Sequence, residues 1–505
     1  MPGGGLRKSM FHPHLSLDPN DVCLMPGNRD DEILHQTQRY WIAEAIRYTH
    51  RDAIHDVFTD ELVEWPQFPC VERLLPQKTM HYSLGPILEN EGTIDGTYNV
   101  IDKVFTDQLG YDPSSDFNDI LHLVFGDQKT ISLIRAVQKE RRGSTLSYDK
   151  HDWILPIPGL FHWRTNYMDM IHDLYSGLES ASIGCVKRQY HQEVDLYIRQ
   201  SGRAEFLNTI EKIRESMFAF DKQYKSVPKP PRASTEQSSS ANRNKPQPQG
   251  APVDVEYSAH AKFLQQMEIY KTLKLAIKRA DIGIIRRAFA RCCLLFHGSN
   301  KSKYAFLSLY MTWITQTPAA DQELQHAILA NGLVNLRGAE DSWFEMDRLN
   351  EFFNLQMKTL MATRRTSSID VATLFRTTAL TASYCTDLKE SIEQAFGEHT
   401  NSTHTAKDVS DDVRNLAFQI YSSGSIDERK DGRDSPFQPP DIVSRGCALI
   451  VNGVIRFNKL VVHGQWTGDE LDDSSGLAST SIGVLDDYVT KEPEEDKSNM
   501  ATLMI

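Results

Sequence analysis

The chain has 505 residues, 40% hydrophobic and 9% aromatic, which at the usual ~100–200 residues per domain allows two or three domains with sizeable cores. Its seven cysteines, Cys23, Cys70, Cys185, Cys292, Cys293, Cys385 and Cys447, form no Cys-x-x-Cys pair, arguing against a zinc ribbon or a disulfide framework. No apolar run approaches the roughly 18 residues of a membrane span, and MPGGGLRKSMFHPH lacks the apolar stretch of a secretory signal. A soluble intracellular protein is expected, with the nucleus as one address open to it. The net charge of −13 is uneven, because residues 467–505 hold ten acids against two lysines. The body of the chain is therefore not barred from meeting a polyanion.

Residues 1–30 are rich in Gly, Pro and Asp and read as irregular. The first part of a core is expected over 31–225. A helix is predicted over 32–60, where Ile33, Ile42, Ile46, Ile54 and Val57 recur at near-helical spacing and Asp30 or Asp31 can cap the start. Trp65-Pro66 and Phe68-Pro69 break the pattern. Residues 80–93 read as extended with turns, and 93–109 as a helix with Ile101, Val104 and Phe105 on its apolar stripe.

Leu121–Phe125 is a short apolar run ending at Gly126-Asp127. A helical pattern follows to residue 142, with Ile131, Ile134 and Val137 on one side. Trp153–Ile157 repeats the layout, followed by a Pro-Gly turn and Phe161-His162 leading into a helix. A strand–helix–strand order predicts parallel neighbours, so Asp127 and His162 are expected side by side at the carboxyl edge of a sheet. Open α/β sheets place ligands and chemistry there. Each residue has a plainer reading as well: Asp127 as the N-cap of its helix, His162 as a satisfied core histidine.

Helical patterning continues from 166 to 224 and gives way to a low-complexity linker over 226–257, too polar and proline-rich to bury a core. A helical insertion is predicted over 258–334. Within it, the segment from Tyr270 to Tyr304 carries nine Lys or Arg against the single acid Asp281. Lys278, Arg279, Arg286, Arg287 and Arg291 lie on either a solvated helix face or a phosphate-contacting surface for DNA. Core-closing helices and a last strand are expected over 335–465. One helix starts at Asp341 or Ser342 and carries Phe344, Leu349, Phe352, Phe353 and Met357. Glu345, Asp347 and Glu351 among them are rim residues or metal ligands. Ser368–Gln394 reads as a helix, 396–436 as loop, and Pro439–Asn458 as a helix followed by a short strand. Residues 466–505 read as a disordered acidic tail. No P-loop, dinucleotide-binding, nucleophile-elbow or His-Glu-x-x-His motif is present.

Four segments, ENEGTIDGTYNVIDKVF, GDQKTISLIRAVQKERR, LPIPGLFHWRTNYMDMIH and DIVSRGCALIVNGVIRFN, together resemble the mainly fungal family of unknown function DUF6589. That similarity spans most of residues 1–465 and implies no established activity. A second, weaker resemblance is to Mutator-type transposases, carried by Asp127, Phe161-His162, Asn166 and the Glu351–Asn354 spacing of EFFN. It implies an α/β, ribonuclease-H-like core interrupted by a large, mostly helical insertion, in a molecule that is helix-rich overall. It also implies metal-dependent phosphoryl transfer on DNA, with Asp127, His162 and Glu351 as catalytic residues and Asp127 and Glu351 as ligands to Mg or Mn. Glu351 must then approach Asp127 across 223 intervening residues, with His162 within one side chain's reach. The departure is the first aspartate of such sites, which the resemblance places upstream of this chain's start; Glu91 and Asp95 are the nearest substitutes. Activity is therefore expected to be weak or absent. The competing expectation is a non-enzymatic helical interaction protein with protein or nucleic-acid partners.

Overall fold

In the computed structural model, the described residues are 5–18, 24, 28–58, 65–113 apart from 83, 86 and 88, 116–175, 187–217, 255–353 and 440–463. The N-terminal segment forms little regular structure, yet it is packed. Arg7 bridges Ile120 and Phe11 bridges Ala320, Trp313 Nε1 donates to the Leu15 carbonyl at 2.7 Å, and Leu17 is fully buried. The helix expected over 32–60 is two helices, α1 (Asn28–Thr49) and α2 (Arg51–Val57), parted at His50, whose φ of −128° and ψ of 44° are not helical. Asp30 and Asp31 sit inside the first turn of α1, where carboxylates favour the exposed amides. In α3 (Ile94–Asp102) the Thr93 hydroxyl caps by accepting from Gly96 N. A π-helical turn, Lys103–Gln108, extends α3, and Ile101, Val104 and Phe105 form the buried stripe the pattern predicted, joined by Val100.

The centre is a strand–helix–strand unit. β1 (His122–Gly126), α4 (Gln128–Arg141) and β2 (Ile154–Pro158) follow in order, and β1 and β2 pair in parallel with His122 opposite Ile154 and Gly126 opposite Pro158. All five residues of β2 are buried, as expected of a parallel strand covered on both faces. The Gly159 amide bonds the Gly126 carbonyl at 2.8 Å, which turns the odd-numbered amides of β2 toward β1. Pro156 and Pro158 therefore fall on its outer side and offer no donor to a further strand. There the Tyr310 hydroxyl bonds the Pro156 carbonyl at 3.0 Å. One face of the pair packs Val124 and Ile154 against α3 and the Trp153 ring. The other packs Leu123, Phe125, Leu155 and Ile157 into the main core.

That main core is helical. It is built from α5 (Leu160–Tyr175), α7 (Val255–Arg279), α8 (Ile282–Gly298), α9 (Ser302–Gln316) and α10 (Gln322–Asn331), while α6 (Lys187–Met217) packs with α1 and α2 around Trp65 and Phe206. After α10 the chain makes an antiparallel pair, β3 (Leu333–Val334) with β4 (Phe344–Glu345). Phe344 and Glu345 are thus in a strand, and the helix expected from Asp341 begins at residue 346. Two left-handed turn residues, Gly338 (φ 70°) and Asp341 (φ 51°), reverse the chain before it, so pairing with β3 wins over the helical pattern. The strand expected near the end of 439–458 is also absent: α11 (Ile442–Phe457) runs straight into a π-helical turn, Asn458–Val462. Its glycines mark a close helix crossing. A Cβ on Gly446 would lie 2.0 Å from the Leu294 carbonyl oxygen, and one on Gly298 would lie 1.7 Å from that of Ile442.

The molecule is helix-rich, with one parallel and one antiparallel strand pair among the described residues. The ribonuclease-H-like part of the expectation rests on the β1–α4–β2 unit alone. Asn354, most of the linker, the 368–394 helix, the 396–436 loop and the acidic tail lie outside the described residues. Among the described residues no helix is long and apolar enough to cross a membrane.

Candidate functional site

Asp127 ends β1 and is the N-cap of α4, its Oδ1 accepting from Thr130 N at 2.7 Å. Both sequence readings of this residue therefore hold in geometry: it caps, and it stands exposed at the carboxyl edge of the strands. Across the edge, α5 starts at Leu160, which puts His162 in the first helical turn. The first amides of a helix have no intrahelical partner. Here a carboxylate from 185 residues later supplies one. Asp347 Oδ1 accepts from Phe161 N at 3.0 Å, and Oδ2 accepts from His162 N and His162 Nδ1, both at 3.1 Å. Gly159 makes the approach possible, because a Cβ there would stand 2.3 Å from Asp347 Oδ2.

The other ring nitrogen of His162, Nε2, faces Glu351 Oε1 at 3.6 Å. The imidazole is thus held between a buried carboxylate and a half-exposed one, its own side chain 35% exposed. The Asp347 hydrogen bond raises the His162 pKa, burial works against it, and the charges of Asp347, Asp127 and Glu351 add to the rise. Asp127 also acts electrostatically on Tyr304 of α9, whose pKa is raised mainly by burial. Two residues further along α5, Arg164 anchors the site. Its Nε donates to Glu345 Oε1 at 2.6 Å and its Nη1 to Tyr270 Oη at 2.8 Å, in a pair that is almost wholly buried. Removing one partner of such a pair leaves an uncompensated charge, so β4 is pinned to α5 and sets where Asp347 and Glu351 fall.

The structure brings Asp347 and Glu351 into contact with His162, while Asp127, at the end of the neighbouring strand, acts on the imidazole through its charge. Sequence reading found Glu345 and Asp347 only as two of three acids on one expected helix, and Arg164 and Gly159 not as site residues. The glycine immediately before PGLFH's helix was the available signal. Among the described residues no three His, Cys, Asp or Glu side chains are grouped to hold a metal ion.

The five basic residues do not share one face. Lys278 is exposed on α7. Arg279 lies over the Phe68 ring at 5.3 Å and 3.8 Å from Asp341, Arg286 is 3.2 Å from Glu72, and Arg287 is paired with Asp30. Arg291 faces a cavity beside α1. The left-handed Ala280 (φ 51°) and the cap Asp281 separate α7 from α8 between them.

No curated protein and no solved structure matches the chain. A family profile matches residues 16–404, well over half of the sequence and including β1, β2, α5 and the acids that meet His162, and the protein belongs to this family of unknown function, DUF6589.

Proposed function

We propose that the chain is a transposase-derived protein whose strand–helix–strand unit descends from a metal-dependent phosphoryl transferase acting on DNA, and that its acidic edge no longer supports that chemistry. The observation that carries the descent is that Asp347 and Glu351 contact His162, and the charge of Asp127 reaches it, at the carboxyl ends of β1 and β2, where α/β folds build sites. Asp127 and Glu351 are hard oxygen donors of the kind Mg²⁺ and Mn²⁺ take. The rest of the donor set does not fit a two-metal centre. Both Asp347 oxygens are committed to α5 amides and the imidazole. Both ring nitrogens of His162 face carboxylates, Nδ1 toward Asp347 and Nε2 toward Glu351. The residues instead hold the His162 ring between Asp347 and Glu351, tying α5 to the helical stretch 346–353.

The test is a nicking assay on supercoiled plasmid with Mg²⁺ or Mn²⁺, alongside duplex DNA binding at rising salt. The expected outcome is no turnover, with DNA retained at low salt and released steeply as salt rises. Mn²⁺-dependent nicking abolished by Asp127→Asn would overturn the inactive assignment. Absence of DNA binding at any salt favours the second reading, a helical interaction protein. That reading draws on the ion pairs that occupy Arg279, Arg286 and Arg287, since a paired guanidinium must give up its carboxylate to take a phosphate.

A further inference from the structure

Between α1, α7 and α8 lies a cavity of about 90 Å³, many times the ~10–15 Å³ that one water requires. It shares no residue with the acidic edge. Its polar wall is Asp30, Thr37, Glu268, Thr272, Arg287, Arg291 and Gln316, and its apolar wall includes Leu273 and Ile284. Glu268 is the central feature: it is 5% exposed, and its Oε1 accepts from the Thr37 hydroxyl at 2.7 Å and the Thr272 hydroxyl at 2.9 Å. Thr272 in turn accepts from the Trp41 indole at 2.9 Å. The carboxylate is thus oriented by groups from two helices. On the α8 side, Arg287 is fixed by its pair with Asp30, and Gln316 is fixed by donating to the Arg286 carbonyl at 2.8 Å.

A recess with the buried Glu268 carboxylate, the Asp30–Arg287 ion pair, the Arg291 guanidinium and an apolar floor presents charges of both signs across a short span. Attraction between opposite charges is several-fold stronger here than in water, and a guanidinium matches the geometry of a carboxylate. Concave sites with a few convergent polar groups on apolar walls are the usual form of small-molecule pockets. We infer that this cavity binds a small zwitterion of the α-amino-acid class. Its ammonium group meets Glu268, its carboxylate meets Arg291, and its side chain lies against Leu273 and Ile284. The hydrogen bond from Trp41 to Thr272 makes the indole a built-in reporter of occupancy.

The experiment uses the full chain and the twenty L-amino acids, each added at millimolar concentration, with melting temperature and tryptophan emission read together. At least one amino acid is expected to raise the melting temperature and to change the emission, and Trp41→Phe should remove the emission change while keeping the thermal shift. Acetate alone and methylamine alone should bind at least tenfold more weakly than the intact zwitterion. Glu268→Gln and Arg291→Gln should each weaken binding at least tenfold. The half-exposed Arg291 site keeps the test decisive should Glu268→Gln fail to fold by circular dichroism. If no amino acid shifts either signal, or if folded variants bind like the parent, the inference is overturned.

Discussion

Replacing Asp347 by Asn isolates what one carboxylate does for the edge. The side chain is 6% exposed and accepts three hydrogen bonds of 3.0–3.1 Å, two from the start of α5 and one from His162 Nδ1. Hydrogen bonds to a charged group contribute about 1.5–3 kcal/mol each, and a lost N-cap alone costs about 0.5–2 kcal/mol. They are not additive, and Asn keeps one acceptor oxygen while turning an amide donor toward the others. A loss of about 3 kcal/mol is expected, with the size of the side chain unchanged in the space Gly159 leaves. Part of the loss depends on pH. The folded-state pKa of His162 is raised above its ordinary value, near 6.5. Its contribution is therefore fully present below that ordinary value and disappears as pH rises through the folded pKa. The substitution should thus cost more at pH 6 than at pH 9, by a modest margin because the imidazole is a third exposed and screened. Chemical denaturation at the two pH values measures the cost, and an NMR titration of the His162 ring measures its midpoint. A wild-type midpoint at or below the ordinary histidine value, or a midpoint that does not fall in Asp347→Asn, would refute the clamped-imidazole argument.

The helix crossing and the buried histidine beside it give two further tests. Gly446→Ala places a methyl 2.0 Å from the Leu294 carbonyl oxygen, and because the obstacle is backbone the helices must part. A loss of about 3 kcal/mol is expected, at the upper end for overpacking, and calorimetry that finds less than about 1 kcal/mol would show the crossing is looser than drawn. His297 is 8% exposed and burial lowers its pKa to about 4. Below its ordinary value the unfolded chain takes up a proton that the folded chain refuses, so stability should fall between about pH 6.5 and 4. Removing this group with His297→Gln should flatten that decline in urea melts; an unchanged slope assigns the acid sensitivity elsewhere, with His122, lowered to about 4 by burial as well, as the next residue to substitute.

Local rules carried the sequence reading as far as local rules reach. The apolar runs at 121–125 and 153–157, each followed by a helical period, gave β1, α4 and β2 in the right order and the right parallel sense. The same pattern put Asp127 and His162 at one edge, because a strand–helix–strand connection leaves both strand ends on the same side. Capping chemistry was equally legible at Asp127. Where pattern failed, a distant partner had intervened. Phe344 and Glu345 have helical neighbours in sequence but pair with Leu333 and Val334. The short strand expected near residue 458 is helix instead, and Gly446 and Gly453 are helical positions in close contact with α8.

By itself, then, the sequence determined the helix-rich character, the parallel unit and the positions of Asp127 and His162, since these follow from the period of apolar residues and the order of elements along the chain. Only the tertiary structure decided that Asp347 caps α5, that Arg164 and Glu345 are buried together, that Glu351 reaches His162, and that Glu268 lines a cavity with Arg287 and Arg291. These are meetings of residues far apart in the chain. They depend on how helices pack and on which buried charges find partners, and no local spacing encodes either.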